Sequence, residues 1–352
     1  MGRQGDIPGG TVTNPIDGQP VMPMRAVEGA TRELFEAEIL PGGEPVILKG
    51  VADHWPAVDI GRAGDAQAMV DYLLSLDSGA PMNAMMGDPK AGGRFIYNAG
   101  MTGYNFRREK APARVVLPAM LRFADDGETP YLYAGATSTH DVFPRLGETN
   151  HLDLVPEGTQ PLAWIGNPSR IAPHYDISEN IAVCVMGRRQ FMLYPPEQVE
   201  NLYIGPWENT PAGPECSIVD IRDPDLERFP RYAEARRHAR LADLSPGDAI
   251  YIPPLWWHTV EARGDFNVLV NFWWPTKGAN GTSMAALAHA LLTIRDLPPH
   301  QREAWKAYFD FYVFSDDAPK AADHIPPHAQ GVRGPASAQR DEIIRNFIRS
   351  ML

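Results

Sequence analysis

Between Trp164 and Trp274 the chain breaks into apolar runs too short for core helices: LAWIG, IAVCVMG, QFMLYPP, AIYIPP, HTVEA and NVLVNFWW. Turn residues bound the runs, which are rich in the branched and aromatic side chains that suit a pleated surface. Their nearly continuous apolar character calls for sheets covered on both faces. The economical way to bury such strands is to wrap them into a jelly roll of about eight strands. The fold class expected is mainly β with flanking helices, its core at residues 131–275.

The flanks read differently. Pro8, Gly9, Gly10, Pro15 and Pro20 make residues 1–25 an arm without regular structure. In EPVILKGVADHWPA the run Val46 to Leu48 reads as a strand entering the domain, ended by Lys49-Gly50 and Trp55-Pro56. Helical spacing places a helix over 66–76, with Met69, Tyr72, Leu73 and Leu76 on one stripe, and another over 112–123. A polar, Pro-rich insert, 197–241, interrupts the strand region and ends in a helix; inserts of that length often cover a barrel mouth. Residues 276–352 form a C-terminal helical region. Leu287, Leu291 and Ile294, then Trp305, Phe309 and Tyr312, make stripes that two helices cannot bury alone, so docking on the barrel or in a homodimer is expected. A last helix covers DEIIRNFIRSML.

Composition narrows the function classes. With 352 residues, 44% of them hydrophobic, the chain can bury a substantial core. A net charge of −12 argues against a broad nucleic-acid surface, because phosphate binding needs an excess of basic groups. The short basic clusters, Arg107-Arg108 with Lys110 and the stretch ending at Arg240, read as solvated faces. No apolar stretch is long enough to cross a bilayer, and the first residues lack an apolar signal core. Of the two cysteines, Cys184 lies in an apolar run, so no structural disulfide with Cys216 is expected. The expectation is a cytoplasmic protein.

Two segments carry the chemistry: IAPHYDISEN and PGDAIYIPPLWWHTVEA supply His174, Asp176 and His258. Two imidazoles and one carboxylate can hold one face of an octahedral metal and leave the other positions open, the arrangement of non-haem Fe(II) oxygenases. On a strand His174 and Asp176 project to one side while Tyr175 faces the other. His258 must come from another strand, with Trp256 and Trp257 expected as a dry shell. His151-Leu152-Asp153 has the same spacing in a polar setting and serves as an internal control. His324 and His328 lie in a turn-rich stretch, and His289 in a helix; none is expected to bind metal.

Together HYDxxxN, GRRQFMLYPPEQ, GDAIYIPPLWWH and VNFWWP resemble the cupin-like branch of the JmjC family of Fe(II)/2-oxoglutarate oxygenases, the asparaginyl hydroxylase-like type. The resemblance is clear over about 131–274 and looser in EPVILKGVADHWPA and the C-terminal helices. It implies a double-stranded β-helix, a catalytic domain over 26–275, and His174, Asp176 and His258 as ligands of Fe(II). It also implies 2-oxoglutarate as cosubstrate, chelated through its C1 carboxylate and C2 ketone. The cation for its distal carboxylate falls on Arg189, thirteen residues beyond Asp176, a two-pronged donor on one strand face with Phe191 and Leu193. Asn180 and Asn271 are implied near the metal-bound end of the cosubstrate and Tyr133 near its far carboxylate, with Tyr131 competing for that role. This sequence departs from the pattern at Ile171, where some members carry a hydroxyl residue (the nearest here is Ser169), and at Arg189, often lysine.

The activity implied is hydroxylation of an unactivated C–H bond in a protein side chain or small molecule, consuming O2 and releasing succinate and CO2; the resemblance also permits a modified RNA base, against which the acidic charge argues. N-demethylation uses the same chemistry. GGRFIYNAGMTGYNF, with Tyr97, Asn98, Tyr104 and Asn105, reads either as a wall over the barrel mouth or as an edge hairpin. Two other classes stand beside the oxygenase: a non-redox cupin enzyme using another metal, and an inactive binding module that retains the metal.

Overall fold

The computed structural model describes residues 12–13, 18, 20–123, 126–211, 213–277 and 283–351. The chain divides into two compact units, 1–276 and 277–352. Most of the arm expected over 1–25 lies outside the described residues; within it Val12–Thr13 and Pro20–Pro23 pair as strands, and Met22 and Pro23 also pair with Arg240 and Leu241.

The first unit is a β-structure covered by helices, with the jelly-roll core expected from the short apolar runs. Two long strands organise it. IAVCVMG and QFMLYPP are halves of one strand, Glu179–Tyr194, and HTVEA and NVLVNFWW are halves of another, Trp257–Trp274. They pair antiparallel from Glu179↔Trp274 to Tyr194↔Trp257, with register shifts around Met186. The shifts explain why one strand replaces two: a bulge bends a strand sharply without ending its pairing. Gly187, at φ 79°, makes that bend, and a Cβ there would lie 2.2 Å from Asn267 Oδ1. The second strand has its matching irregularity near Gly264, at φ 101°.

The remaining strands extend this pair. Pro161–Gly166 joins Trp257–Trp274, Tyr131–Ser138 joins Pro161–Gly166, and the hairpin of Pro81–Gly87 and Phe106–Pro112 ends the row. Ser169–His174 pairs with the first half of Trp257–Trp274, setting His174 opposite His258. Val46–Lys49 pairs with Ala249–Ile252, which lies against Asn180 to Val183, so the predicted entering strand is part of the barrel wall.

Helices cover the outside. Pro56–Ala63 starts on a proline, whose fixed φ suits the first helical turn, and ends at Gly64 in the left-handed region. Ala66–Ser75 is capped by Asp65, whose carboxylate accepts the Ala68 N–H at 2.9 Å, and buries Met69, Val70 and Leu73. The helix expected over 112–123 is shorter, Ala113–Met120. Gly61 brings its helix against the Glu179–Tyr194 strand so closely that a Cβ would lie 1.8 Å from Val185 O. Gly61→Ala must therefore push helix from sheet, and overpacking of this kind costs about 1–3 kcal/mol. Urea denaturation of the folded variant should show that loss; an unchanged midpoint would mean that the contact relaxes freely.

The second unit holds the helices Ser283–Thr293, Pro299–Phe309 and Ala338–Met351, with no buried residue in any of them. Leu292 is 78% exposed and Phe314 71%. No helix among the described residues is long and apolar enough to cross a membrane.

Candidate functional site

A cavity of about 400 Å³ opens into the barrel and gathers His174, Asp176, Asn180, Arg189, His258, Asn271 and Tyr133 on its walls. Every site residue expected from the sequence therefore faces one space. The candidate ligand atoms of His174, Asp176 and His258 lie within 4.8 Å of one another.

The two imidazoles are fixed alike. His174 Nδ1 lies 2.9 Å from Ala172 O and His258 Nδ1 lies 3.0 Å from Trp256 O. A carbonyl oxygen only accepts, so each Nδ1 carries a proton, and in the neutral form of either ring the lone pair then lies on Nε2. Burial and the neighbouring His174 hold the His258 pKa down to about 4, which keeps that ring neutral at pH 7. Neutral imidazoles with a free Nε2 are the form that binds metal, and backbone carbonyls behind them fix the ring orientation.

Asp176 is placed by other means than strand parity. Its strand, Ser169–His174, ends two residues earlier. The Asp176 carbonyl accepts the Leu255 N–H at 2.7 Å, which ties it to the turn before His258. Leu255 holds φ 66°, uncommon for a branched side chain, so local strain accompanies that tie. The Asp176 carboxylate accepts Asn180 Nδ2 at 3.1 Å and Trp273 Nε1 at 3.2 Å through Oδ2. Asn271 Nδ2 in turn donates to Asn180 Oδ1 at 3.1 Å, and Trp164 Nε1 donates to Asn271 Oδ1 at 2.6 Å. Asn180 and Asn271 thus belong to a relay that orients the carboxylate.

Farther in, Arg189 is 2% exposed. Nη2 donates to Trp164 O at 3.3 Å, while buried Nε has no partner among the described residues. Burial pushes its pKa down, and only the Tyr133 hydroxyl and the Cys184 thiol act against that. A buried guanidinium without a carboxylate is costly and calls for an anion. Tyr133 shares this end of the cavity, its hydroxyl pKa raised by burial, whereas Tyr131 packs against Phe123 and is not part of the lining. Ile171 leaves the wall apolar at the position where the resemblance suggested a hydroxyl, and Ser169 is buried outside the cavity.

The expected dry shell of Trp256 and Trp257 is supplied by other residues. Trp256 packs among Phe191, Leu193 and Ile250, and Trp257, facing away from His258, meets Tyr175 edge-on at 4.9 Å. Trp164 and Trp273 line the cavity instead, edge to face at 5.7 Å. Trp273 was legible as a neighbour of Asn271 in VNFWW, but its bond to Asp176 is not a local feature.

The insert reaches the mouth. Cys216 bridges to His174, the Ser217 N–H donates to Pro173 O at 2.7 Å, and Pro211 and Gly213 line the opening. Arg222 clamps buried Glu261 through Nε at 2.9 Å and Nη2 at 2.8 Å, anchoring the insert to the Trp257–Trp274 strand. GGRFIYNAGMTGYNF is a hairpin, with Tyr97 bridged to Tyr104, and it also contributes Phe95 to the cavity. Asn98 and Asn105 bond within it and serve its shape. The control motif lies elsewhere: His151 and Asp153 are exposed, 3.7 Å apart, in a second surface cavity with no third ligand among the described residues.

This donor set fits Fe(II): two imidazoles and a carboxylate on one side, open cavity on the other, and an orphaned guanidinium deeper in. Comparison with known proteins points the same way. The pattern of the cupin-like domain family matches residues 31–280. The chain is 26% identical over 330 residues to tRNA wybutosine-synthesizing protein 5 of Gallus gallus, covering 84% of this chain and 93% of that one. It is 25% identical over 253 residues to lysine-specific demethylase 8 of Xenopus tropicalis, covering 69% and 50%. Over 157 residues it is 33% identical to HSPB1-associated protein 1 of Bos taurus, covering 42% and 31%.

Proposed function

Because the chain belongs to the cupin-like family of JmjC type, we propose that it is an Fe(II)- and 2-oxoglutarate-dependent dioxygenase that hydroxylates an unactivated C–H bond. The observation that carries this reading is the pairing of the His174, Asp176 and His258 cluster with buried, anion-seeking Arg189 in one cavity. A metal-retaining binding module has no need of that second element, whereas a non-redox cupin enzyme would use Arg189 for a substrate anion and ignore 2-oxoglutarate. When bound, Fe(II) with 2-oxoglutarate and O2 supplies oxidation of a C–H bond with formation of succinate and CO2.

The protein's own contribution is position and dryness. His174 and His258 present Nε2, and the relay through Asn180 and Asn271 turns Asp176 toward them. Arg189 and Tyr133 take the distal carboxylate, where a guanidinium fork gives two charge-assisted bonds. Trp164, Trp273, Ile171 and Phe191 exclude water around them. The substrate enters between the hairpin and the insert, and is a protein side chain or small molecule. The relatives' names point to different substrates, a tRNA in one case and lysine in another, so the family alone does not select one.

Anaerobic addition of Fe(II) and then 2-oxoglutarate is the direct test. A saturable visible charge-transfer band is expected; iron binding without a band would reject the cosubstrate.

We further propose that the chain acts in the cytoplasm as a homodimer. Both cysteines are free and buried, as suits a reducing compartment. Leu292, Tyr308, Phe314 and Phe347 in the C-terminal region are exposed, and a second copy of the chain could cover them. Sedimentation velocity should show a dimer that Leu292→Glu with Phe314→Glu dissociates; a monomeric wild type would end the idea.

A further inference from the structure

The cavity has a second cation that the reaction as proposed does not use. Arg108 lies on Phe106–Pro112, the last strand of the row, and faces the opening beside Asn83 and Met85 of the paired strand. Its guanidinium carbon sits 5.2 Å from the Tyr104 ring centre and 5.5 Å from that of Phe106. Those two rings are themselves stacked at 4.9 Å, and Tyr104 is pinned by its hydroxyl to Thr210 O at 2.7 Å. Arg108 also donates through Nη2 to Pro211 O, across the mouth. No carboxylate pairs with it among the described residues, and that carbonyl is its one hydrogen-bond acceptor there. Arg108 is exposed at the mouth, so its remaining N–H groups face solvent and are open to a ligand. Lys110 is two residues along the same strand face.

We propose that Arg108 is a specificity-determining residue that takes an oxyanion, a carboxylate or a phosphate, carried by the substrate close to the carbon that reacts. The substrate part of this inference rests on the oxygenase reading; the anion contact rests on the geometry alone. A guanidinium fixed by two rings and a carbonyl loses little freedom when it binds, and its planar fork matches an oxyanion better than an ammonium does. Among the described residues the only carboxylate on the cavity wall is Asp176, already committed to the ligand cluster. Arg189 and Arg108 thus divide two anions, a deep one and an outer one. A single outer anion fits the acidic chain better than a polyanion, because a net charge of −12 repels extended phosphate backbones.

The test uses the full chain, loaded anaerobically with Mn(II) and 2-oxoglutarate so that Arg189 is occupied. Inorganic phosphate and acetate are then titrated separately, followed by paramagnetic broadening of their phosphorus and carbon resonances and by the shift of the Arg108 Nε–H signal. Saturable binding is expected, roughly tenfold weaker or more in Arg108→Gln, partly restored in Arg108→Lys and unchanged in Arg114→Gln, on an exposed helix position. The better of the two anions names the source. Equal binding by wild type and Arg108→Gln would overturn the proposal. So would Arg108-dependent binding of single-stranded RNA with a steep salt dependence and no binding of either small anion, which would make the mouth a polyanion site. Mn(II) occupancy is read separately by electron paramagnetic resonance. An empty site there would sink the metal reading while the Nε–H shift still decides for or against Arg108.

Discussion

His174→Ala is expected to reduce iron-dependent succinate formation to background and to remove the charge-transfer band. One of three ligands disappears, and the other two cannot hold the same face of a metal against water. His151→Ala, in the exposed copy of the same three-residue pattern, should leave both signals unchanged. This pair isolates environment from motif. His174 has its Nδ1 proton fixed by Ala172 O and an opposing imidazole at 4.4 Å between ring centres, whereas His151 has Asp153 at 3.7 Å and solvent. Equal losses in the two variants would mean that the wrong histidine has been assigned. Thermal unfolding of each variant guards against a trivial cause, since neither ring is part of an apolar cluster.

The second large effect runs in opposite directions for function and stability. Arg189→Ala should raise the apparent KM for 2-oxoglutarate by roughly tenfold to a hundredfold, the usual range for losing hydrogen bonds to a charged group, with a smaller change in kcat. Arg189→Lys keeps a charge and should lie between. Arg189→Met keeps the volume and removes an uncompensated buried cation, so the protein without cosubstrate should be more stable, by about 1–4 kcal/mol. The variant should then gain nothing from added 2-oxoglutarate, while the wild type gains in proportion to the logarithm of ligand concentration. A wild-type KM in Arg189→Ala would reject the assigned contact. Unchanged stability in Arg189→Met would mean that the guanidinium is solvated better than its burial suggests.

What the sequence made legible was local. Short apolar runs identified strands because side-chain alternation and length are properties of a few residues, and the HisXaaAsp segment stood out because its flanks were strand-like. The seven site residues named from sequence all reached one cavity. What escaped depended on distant pairing. Whether IAVCVMG and QFMLYPP are two strands or one is decided by a bend at Gly187 against Asn267. Trp164 and Trp273 form the dry wall instead because Trp257, next to His258 on the strand, must face away from it, while Trp256 precedes the strand and packs among Phe191, Leu193 and Ile250. Asp176 is aimed by Asn180, Trp273 and the turn at Leu255, none of which a three-residue spacing reveals. Arg107, Arg108 and Lys110 are exposed, as their reading as a solvated face expected, but the seat of Arg108 over Tyr104 and Phe106 was not read from the sequence.

The pairing of His174 with His258 joins positions 84 residues apart. During synthesis, a chain that has emerged as far as the insert carries one imidazole and one carboxylate and no means of closing the set. Contacts so remote in sequence form late, because the loop entropy is lost before the sheet repays it. If the cluster holds the proposed metal, a partly made chain is spared from holding it in a half-formed barrel, and competence to bind it reports that the last long strand has docked. Metal uptake during refolding should accordingly lag behind the first gain of β-structure.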